Sequence, residues 1–442
     1  MSQLFVGASR ICIDPPKEMF PFPSNFSWMD EVRNPCYVRA LAIRNDDKPI
    51  LFVVYEMSDI PGDPDIIRKL SEASGVAEEN IILAVTHNHT APNDRSKMVK
   101  DADDKFAFFR RYAVEQGCIA AKQAVKKLQP AKYGYGEIDS YCNVNRDKKT
   151  AFGFWVEGPA YDLYSNKTLA ALKFTDMEDK VIACLLNYGA HAVCAFVQKD
   201  TDGKIKSSSN FPGIACTFVE EHYRNECVCL WTSGCAGNQD PILFDYQWKE
   251  YEDGYVTNIK YPDGIGYLNM DILGAQHGSD AVKCIDGIKD LNGELSVQYV
   301  KSVVPIQARK MDPGFKVPPF GLRMGGNGER TDFTPPTYPE LPTFLPDEGK
   351  FIHYELDYLK LGKVGIFLTS GELYAEIGRD IMQASKVENT FVITHIPGEG
   401  GYTLDRSSKD HKVFQAFGNV EPGSTDEPLI QRAAELAEQA EK

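Results

Sequence analysis

Ile81-Ile82-Leu83-Ala84-Val85-Thr86-His87-Asn88-His89-Thr90-Ala91-Pro92 is the stretch whose reading decides the fold. Its first five residues are apolar, strand-forming and bounded by polar turn formers, and they predict a buried strand that delivers its C-terminal end to a site. If strand geometry continues beyond Val85, His87 and His89 share a face, because side chains repeat every two residues. Imidazoles at that spacing can hold one divalent metal, or one can bind while its neighbour moves a proton. A polar turn with two partly exposed histidines is the plainer reading. Against it, the chain has only 8 histidines and puts two of them here, at the end of a hydrophobic run.

Working outward, Asp63 to Ser74 predicts a helix with Ile66, Ile67 and Leu70 on one stripe, and it leads directly into the Ile81 strand. Before it, Tyr37 to Ile43 and Ile50 to Met57 read as a hairpin, with Ser58-Asp59 bringing a carboxylate near the histidines. Strand, helix, strand implies a right-handed crossover and a sheet that is at least partly parallel. The expected fold class is therefore α/β, a mixed β-sheet core flanked by helices. Asp103 to Leu128 continues as a long helix, and Leu169 to Phe174 with Val181 to Leu186 forms another hairpin. Its second strand runs into Asn187-Tyr188-Gly189-Ala190-His191, a second strand end that delivers a histidine. Two such ends can converge on one metal.

Three further segments offer polar groups to the same centre. Tyr141 to Arg146 has no helical or strand pattern, and Arg146 is either an anion clamp or a surface arginine paired with one of the many acids. Ser207-Ser208-Ser209-Asn210 caps a helix reaching about Tyr223, and the strand Cys227 to Thr232 then opens into the glycine-containing loop Ser233 to Pro241. Strands at Ile352 to Tyr358 and Val364 to Leu368 precede Glu372, at a strand-to-helix junction ahead of a helix over Leu373 to Ser385. Glu372 is a site carboxylate or a partner of the helix dipole. A strand over Phe391 to Ile396 ends in a third glycine-lined loop containing Tyr402. His277, in a helix over Gly266 to Val282, is expected at a helix surface, and Ser424 with Glu427 reads as a capping box for the tail helix. Met311 to Lys350 holds eight prolines without a core-forming period and is expected to be a loop or lid on the substrate side, with an interdomain connector as the alternative.

The totals narrow the class. A chain of 442 residues with 43% hydrophobic and 25% charged residues buries a large core. Its net charge of -15, with no cluster of Lys and Arg, disfavours a nucleic-acid or anionic-membrane partner. The N-terminal residues show no basic segment followed by an apolar signal core, and no apolar run approaches a membrane span, so a cytoplasmic location without stable membrane insertion is expected. The 11 cysteines, an odd number scattered singly, read as free thiols in a reducing compartment.

Set in order, Asp14-Pro15, Pro35 to Ala40, Thr86 to Pro92, Asn145-Arg146, Asn187 to His191 and Gly371-Glu372 make the chain resemble the neutral/alkaline, non-lysosomal ceramidase family over roughly residues 4 to 440. The resemblance implies one metal-dependent hydrolase domain over residues 1–442, without the immunoglobulin-like C-terminal domain of many secreted members. It implies Zn2+ held by His87, His191, Glu372 and Tyr402, with His89 near the scissile group and Arg146 on substrate or oxyanion. Assigning His87 rather than His89 to the metal comes from the resemblance, since spacing leaves both open. The loop that carries a serine in the family reads Gly237-Asn238-Gln239-Asp240-Pro241 here, putting Asp240 at the serine position. The function expected is hydrolysis of an amide, ester or lactone of a small polar molecule by metal-activated water, with Asp240 orienting that water. A metal-dependent isomerase or lyase and a non-catalytic ligand-binding descendant are the alternatives. Oligomeric state is not legible in the sequence.

Overall fold

The computed structural model describes residues 2–45, 49–96, 99–151, 153, 155–195, 197–244, 246–250, 256–314 and 343–440. One arrangement occurs three times along the chain. In the first unit, β1 (Phe5–Cys12), β2 (Tyr37–Arg44) and β3 (Pro49–Tyr55) pair antiparallel, α1 (Ile66–Ser74) crosses over, and β4 (Ile81–Val85) returns parallel to β3. The helix α2 (Asp103–Lys126) then packs back across β1 and β2. The second unit repeats this with β5 (Lys132–Asp139), β6 (Thr168–Thr175), β7 (Val181–Tyr188), α3 (Asn210–His222), β8 (Val228–Ser233) and α4 (Ile265–Gly287), β7 and β8 being the parallel pair.

The third unit has β9 (Val297–Val300), β10 (Val303–Met311) and β11 (Phe344–Leu361), followed by β12 (Val364–Thr369), α5 (Ala375–Ala384), β13 (Asn389–Ile393) and α6 (Asp426–Gln439). Both β9 and β10 pair with the long β11, and β12 runs antiparallel to β11 and parallel to β13. The α/β class therefore holds, and the mixed β-sheet core expected from the sequence is divided among three main sheets, one for each unit.

Alternation along the strands explains why three sheets assemble. On β3, Ile50, Phe52 and Val54 point into a core shared by all three units, while Leu51, Val53 and Tyr55 pack under α1 and α2. On β7, Ala183 and Leu185 enter the shared core, and Cys184, Leu186 and Tyr188 face α3 and α4. On β12 and β13, Ile366, Leu368, Phe391 and Ile393 face inward, whereas Phe367 and Val392 face the α5–α6 side. Each strand is thus apolar on both faces, as the continuous run Ile81 to Val85 required. With about 1.5–3 kcal/mol for each large apolar side chain buried, a one-residue slip would exchange both faces at once, so the register is strongly specified.

Several local expectations need correction. Tyr141 to Arg146, read as patternless, enters a strand at Asn143: Asn143–Lys149 pairs with Trp155–Ala160 on one side and Gln239–Pro241 on the other. Asn143 to Asp147 are all buried and four of those five are polar, so neither an apolar run nor an alternation marks the strand. His277 is not at a helix surface: it is fully buried, with Ser140 Oγ 2.9 Å from its Nδ1 and Trp231 Nε1 donating to its Nε2 at 3.1 Å. The capping box does not form, because Ser424 Oγ donates to Glu421 O at 2.6 Å and α6 begins without a side-chain cap. The irregular stretch predicted over 311–350 is narrower than expected, since Met311 and Phe344 are register partners at the end of the β10–β11 ladder. The rest of that expected lid, residues 315–342, lies outside the described residues. None of the eleven cysteines is in a disulfide, and all but Cys12 and Cys118 are buried. Among the described residues no helix is long and apolar enough to cross a membrane.

Candidate metal centre

The C-terminal strand ends of the three units supply the site. His87 and His89 follow β4, His191 follows β7, and Glu372 follows β12. His191 and Glu372 stand at the same place in their units, three residues past the strand ending at Tyr188 or Thr369. The expectation that His87 and His89 share a strand face is not how they meet. The strand stops at Val85, and His87 has φ of 56°, so a left-handed turn brings the rings together, with the two Nε2 atoms 3.1 Å apart. Glu372 begins the two-residue strand Glu372–Leu373, which pairs in parallel with Tyr402–Thr403 and places Glu372 in register with Tyr402. That pairing, and not sequence proximity, joins a carboxylate and a phenol across thirty residues of chain.

Four donor atoms converge. Glu372 Oε2 lies 3.1 Å from His191 Nε2 and 3.4 Å from His87 Nε2, and the Tyr402 hydroxyl lies 3.4 Å from His191 Nε2. The tautomers follow from the other ring nitrogens. His87 Nδ1 is 2.9 Å from Ser58 O, and His191 Nδ1 is 3.1 Å from Gln239 O. A carbonyl can only accept, so each Nδ1 carries the proton and each Nε2 presents its lone pair. Backbone carbonyls orienting metal-binding imidazoles in this way are the usual outer shell of a metal site. His87, His89 and His191 themselves form a candidate metal-binding group, their donor atoms all within 4.8 Å of one another.

Electrostatics agree with a centre that gathers positive charge around one carboxylate. Burial works against ionised Glu372, yet His87 and then His191 hold its pKa well below the ordinary carboxylate range. Burial likewise opposes protonation of His87, but Glu372 raises it above the usual imidazole value. His89 is pushed well below that value by burial and by His87, and His191 is lowered by burial and by Arg146. Burial and Glu372 together raise the Tyr402 phenol well above its ordinary value.

Arg146 is not a surface residue. It is 3% exposed, its Nη1 lies 3.1 Å from Asp240 Oδ1 and 3.3 Å from Glu157 Oε1, and its Nη2 donates to Gly237 O at 2.7 Å. Its guanidinium sits over the rings of Tyr402 and Phe414, with centroids at 5.3 and 5.4 Å. Asp240 pairs with Val144 in the ladder that places Arg146, so the two come from neighbouring strands. All seven residues singled out from the sequence thus occupy one region, with Arg146 and Asp240 beside the imidazole–carboxylate cluster. Phe26, from the aromatic Met19 to Trp28 segment, stacks on His89 with centroids 5.6 Å apart and planes 9° from parallel.

One member escaped sequence reading. His395, two residues past β13, stacks on His87 with centroids 4.2 Å apart and planes at 12°. A strand drawn through to Ile396 conceals it. The signal was present in the dipeptide itself: Val85-Thr86-His87 and Ile393-Thr394-His395 are the same strand end written twice.

Comparison with known proteins agrees with the architecture. A solved structure titled "Ceramidase complexed with C2" aligns with a TM-score of 0.70 and 15% identity over 100% of this chain and 76% of that one. The neutral ceramidase from Pseudomonas aeruginosa aligns with a TM-score of 0.68 and 15% identity over 99% of this chain and 75% of that one. No protein-family model and no curated protein matches the sequence. The chain has the ceramidase-like catalytic fold, a likeness of fold at this level of identity.

Proposed function

We propose that the protein is a zinc-dependent hydrolase of an amide, ester or lactone. The observation that carries this reading is the spacing of the donors. Three separations that link the four donors, His87 Nε2 to Glu372 Oε2 at 3.4 Å, Glu372 Oε2 to His191 Nε2 at 3.1 Å and His191 Nε2 to the Tyr402 hydroxyl at 3.4 Å, match the edge of a tetrahedron of ligands about 2.0 Å from a central zinc, roughly 3.3 Å. Two imidazoles and two oxygen donors also suit zinc chemically. Those four residues would hold the ion, which when bound supplies a Lewis acid and lowers the pKa of water toward about 7.

The remaining residues do the proton and charge work. Asp240, held by Arg146 Nη1 at 3.1 Å, orients the attacking water and receives its proton. Most Arg146 donors are committed to Asp240, Glu157 and Gly237, so its main contribution is to fix Asp240 and the Gly237 loop, and its charge stabilises the oxyanion through space. His89, at the edge of His87 and backed by Phe26, takes up the proton that Asp240 received from the water and passes it to the leaving group. The expected substrate is a small molecule. The fold's relatives include ceramidases, whereas a centre lined by histidines, carboxylates and an arginine favours a polar one. Removing zinc with a chelator should abolish hydrolysis of a p-nitrophenyl ester panel, and one equivalent of zinc should restore it. Full turnover by protein verified as metal-free would overturn the proposal.

A further inference from the structure

His395 is the residue that neither the metal nor the proton relay uses. It stands where His87 stands: two residues beyond the last parallel strand of its unit, after a Thr, with φ of 59° against 56° for His87. Its backbone is pinned on both sides. Thr394 donates from its N to Ser233 O at 2.8 Å and from its Oγ1 to Gly234 O at 2.9 Å, and Ile396 N reaches Thr369 O at 3.4 Å. A left-handed conformation costs a non-glycine residue energy, and here it turns the ring into the site, flat against His87. The ring is only partly buried, and among the described residues no hydrogen bond engages either of its nitrogens. In either protonation state an imidazole keeps at least one N–H to give. A strained, anchored, unengaged donor beside a metal ligand is an arrangement suited to a bound molecule.

Direction narrows what that molecule carries. His89 meets His87 edge-on, at 87° between ring planes, whereas His395 lies against its face. The two approach the centre from different sides. Resting on the hydrolase reading, in which His89 serves the leaving group, His395 is left with the acyl side. We infer that His395 is a specificity-determining residue that hydrogen-bonds a hydroxyl on the carbon next to the scissile carbonyl, so that the site prefers 2-hydroxyacyl over plain acyl substrates.

The test is calorimetric binding of acetohydroxamate and 2-hydroxyacetohydroxamate to the zinc-loaded protein, with hydrolysis of p-nitrophenyl acetate measured separately. Wild type should bind the hydroxy compound about tenfold more tightly, the worth of one good hydrogen bond. His395→Phe, which keeps the stack on His87 but has no donor, should bring the ratio near one at unchanged zinc stoichiometry. His395→Asn, tolerant of left-handed backbone and still a donor, should retain most of the preference. Any chelation of zinc by the added hydroxyl is common to wild type and variant and cancels in the comparison. If the Phe variant does not fold, His395→Gly, unstrained at this φ, takes its place. Equal ratios in wild type and variant, no preference in wild type, or no binding of either compound overturns the inference. Preference without ester turnover leaves the inference standing and removes the hydrolase reading, and turnover without preference does the reverse.

Discussion

Replacing Asp240 by Ala tests the claim that a buried ion pair holds the Gly237 to Pro241 loop. Arg146 is 3% exposed and the side chain of Asp240 5%, so the substitution leaves a guanidinium charge in the interior. Removing one partner of a buried pair costs about 3–5 kcal/mol. Glu157, 26% exposed, remains 3.3 Å from the same Nη1, and Gly237 O still accepts from Nη2, which brings the expectation down to about 2–3 kcal/mol. Asp240→Asn keeps an oxygen for Nη1 and should cost nearer 1 kcal/mol. Unfolding entropy of about 2 cal/mol/K per residue over 442 residues converts each kcal/mol to about 1 °C. Differential scanning calorimetry should therefore show a fall of about 2–3 °C for Ala and about 1 °C for Asn. Substituting both residues by apolar ones, Arg146→Met with Asp240→Leu, should recover most of the loss because no charge is stranded. Turnover separates from this order: both Asp240 variants should lose about 100-fold or more, as expected for a missing general base. Wild-type thermal stability in Asp240→Ala, or a double variant no better than the single, would refute the reasoning, since Arg146 would then be balanced without Asp240.

Zinc affinity should fall as pH drops through the raised pKa of His87, because that imidazole must shed its proton to bind, whereas burial favours the neutral form of His89 and His191; an affinity that does not weaken on acidification in competition titrations would contradict the ligand set. Glu376, buried and beside Asp405, has its pKa pushed up to about 7. A raised folded pKa means stability is full below the unfolded value near 4.5 and is lost as pH rises through about 7, by about 3 kcal/mol in all. Glu376→Gln, which keeps an acceptor for Asn238 Nδ2, should flatten that decline in thermal scans from pH 5 to 8.5, and an unchanged slope would assign the decline to other groups. Tyr402→Phe removes one donor and should weaken zinc binding about 10–100-fold while leaving the fold intact; equal affinity by competition with a chromogenic chelator would strike Tyr402 from the ligand set. Ser424→Ala should change stability by less than about 0.5 kcal/mol, since no cap depends on it; a loss above 1 kcal/mol would show a cap in solution.

Local sequence determined the elements. Apolar runs at Ile81 to Val85, Val181 to Leu186 and Val364 to Leu368 are strands because residues of that kind, bounded by polar turn formers, have few other stable arrangements, and the strand ends carrying His87, His191 and Glu372 could be read from them. What could not be read was a polar strand, Asn143–Lys149, whose buried residues include Asn143, Asn145, Arg146 and Asp147, held mostly by partners on other segments. Nor could the sequence say that a turn at His87, and not strand pleating, joins the two early histidines, because a positive φ is a choice the surroundings impose on a residue that would otherwise avoid it. Tertiary structure alone decided that three similar units share one core, that the Glu372–Tyr402 pairing closes the donor set, and that His395 lies on His87. Each of those depends on which distant strand end comes alongside, and that is settled by the simultaneous burial of both faces of the central strands such as β3, β7 and β12, a property of the assembled chain and of no single segment.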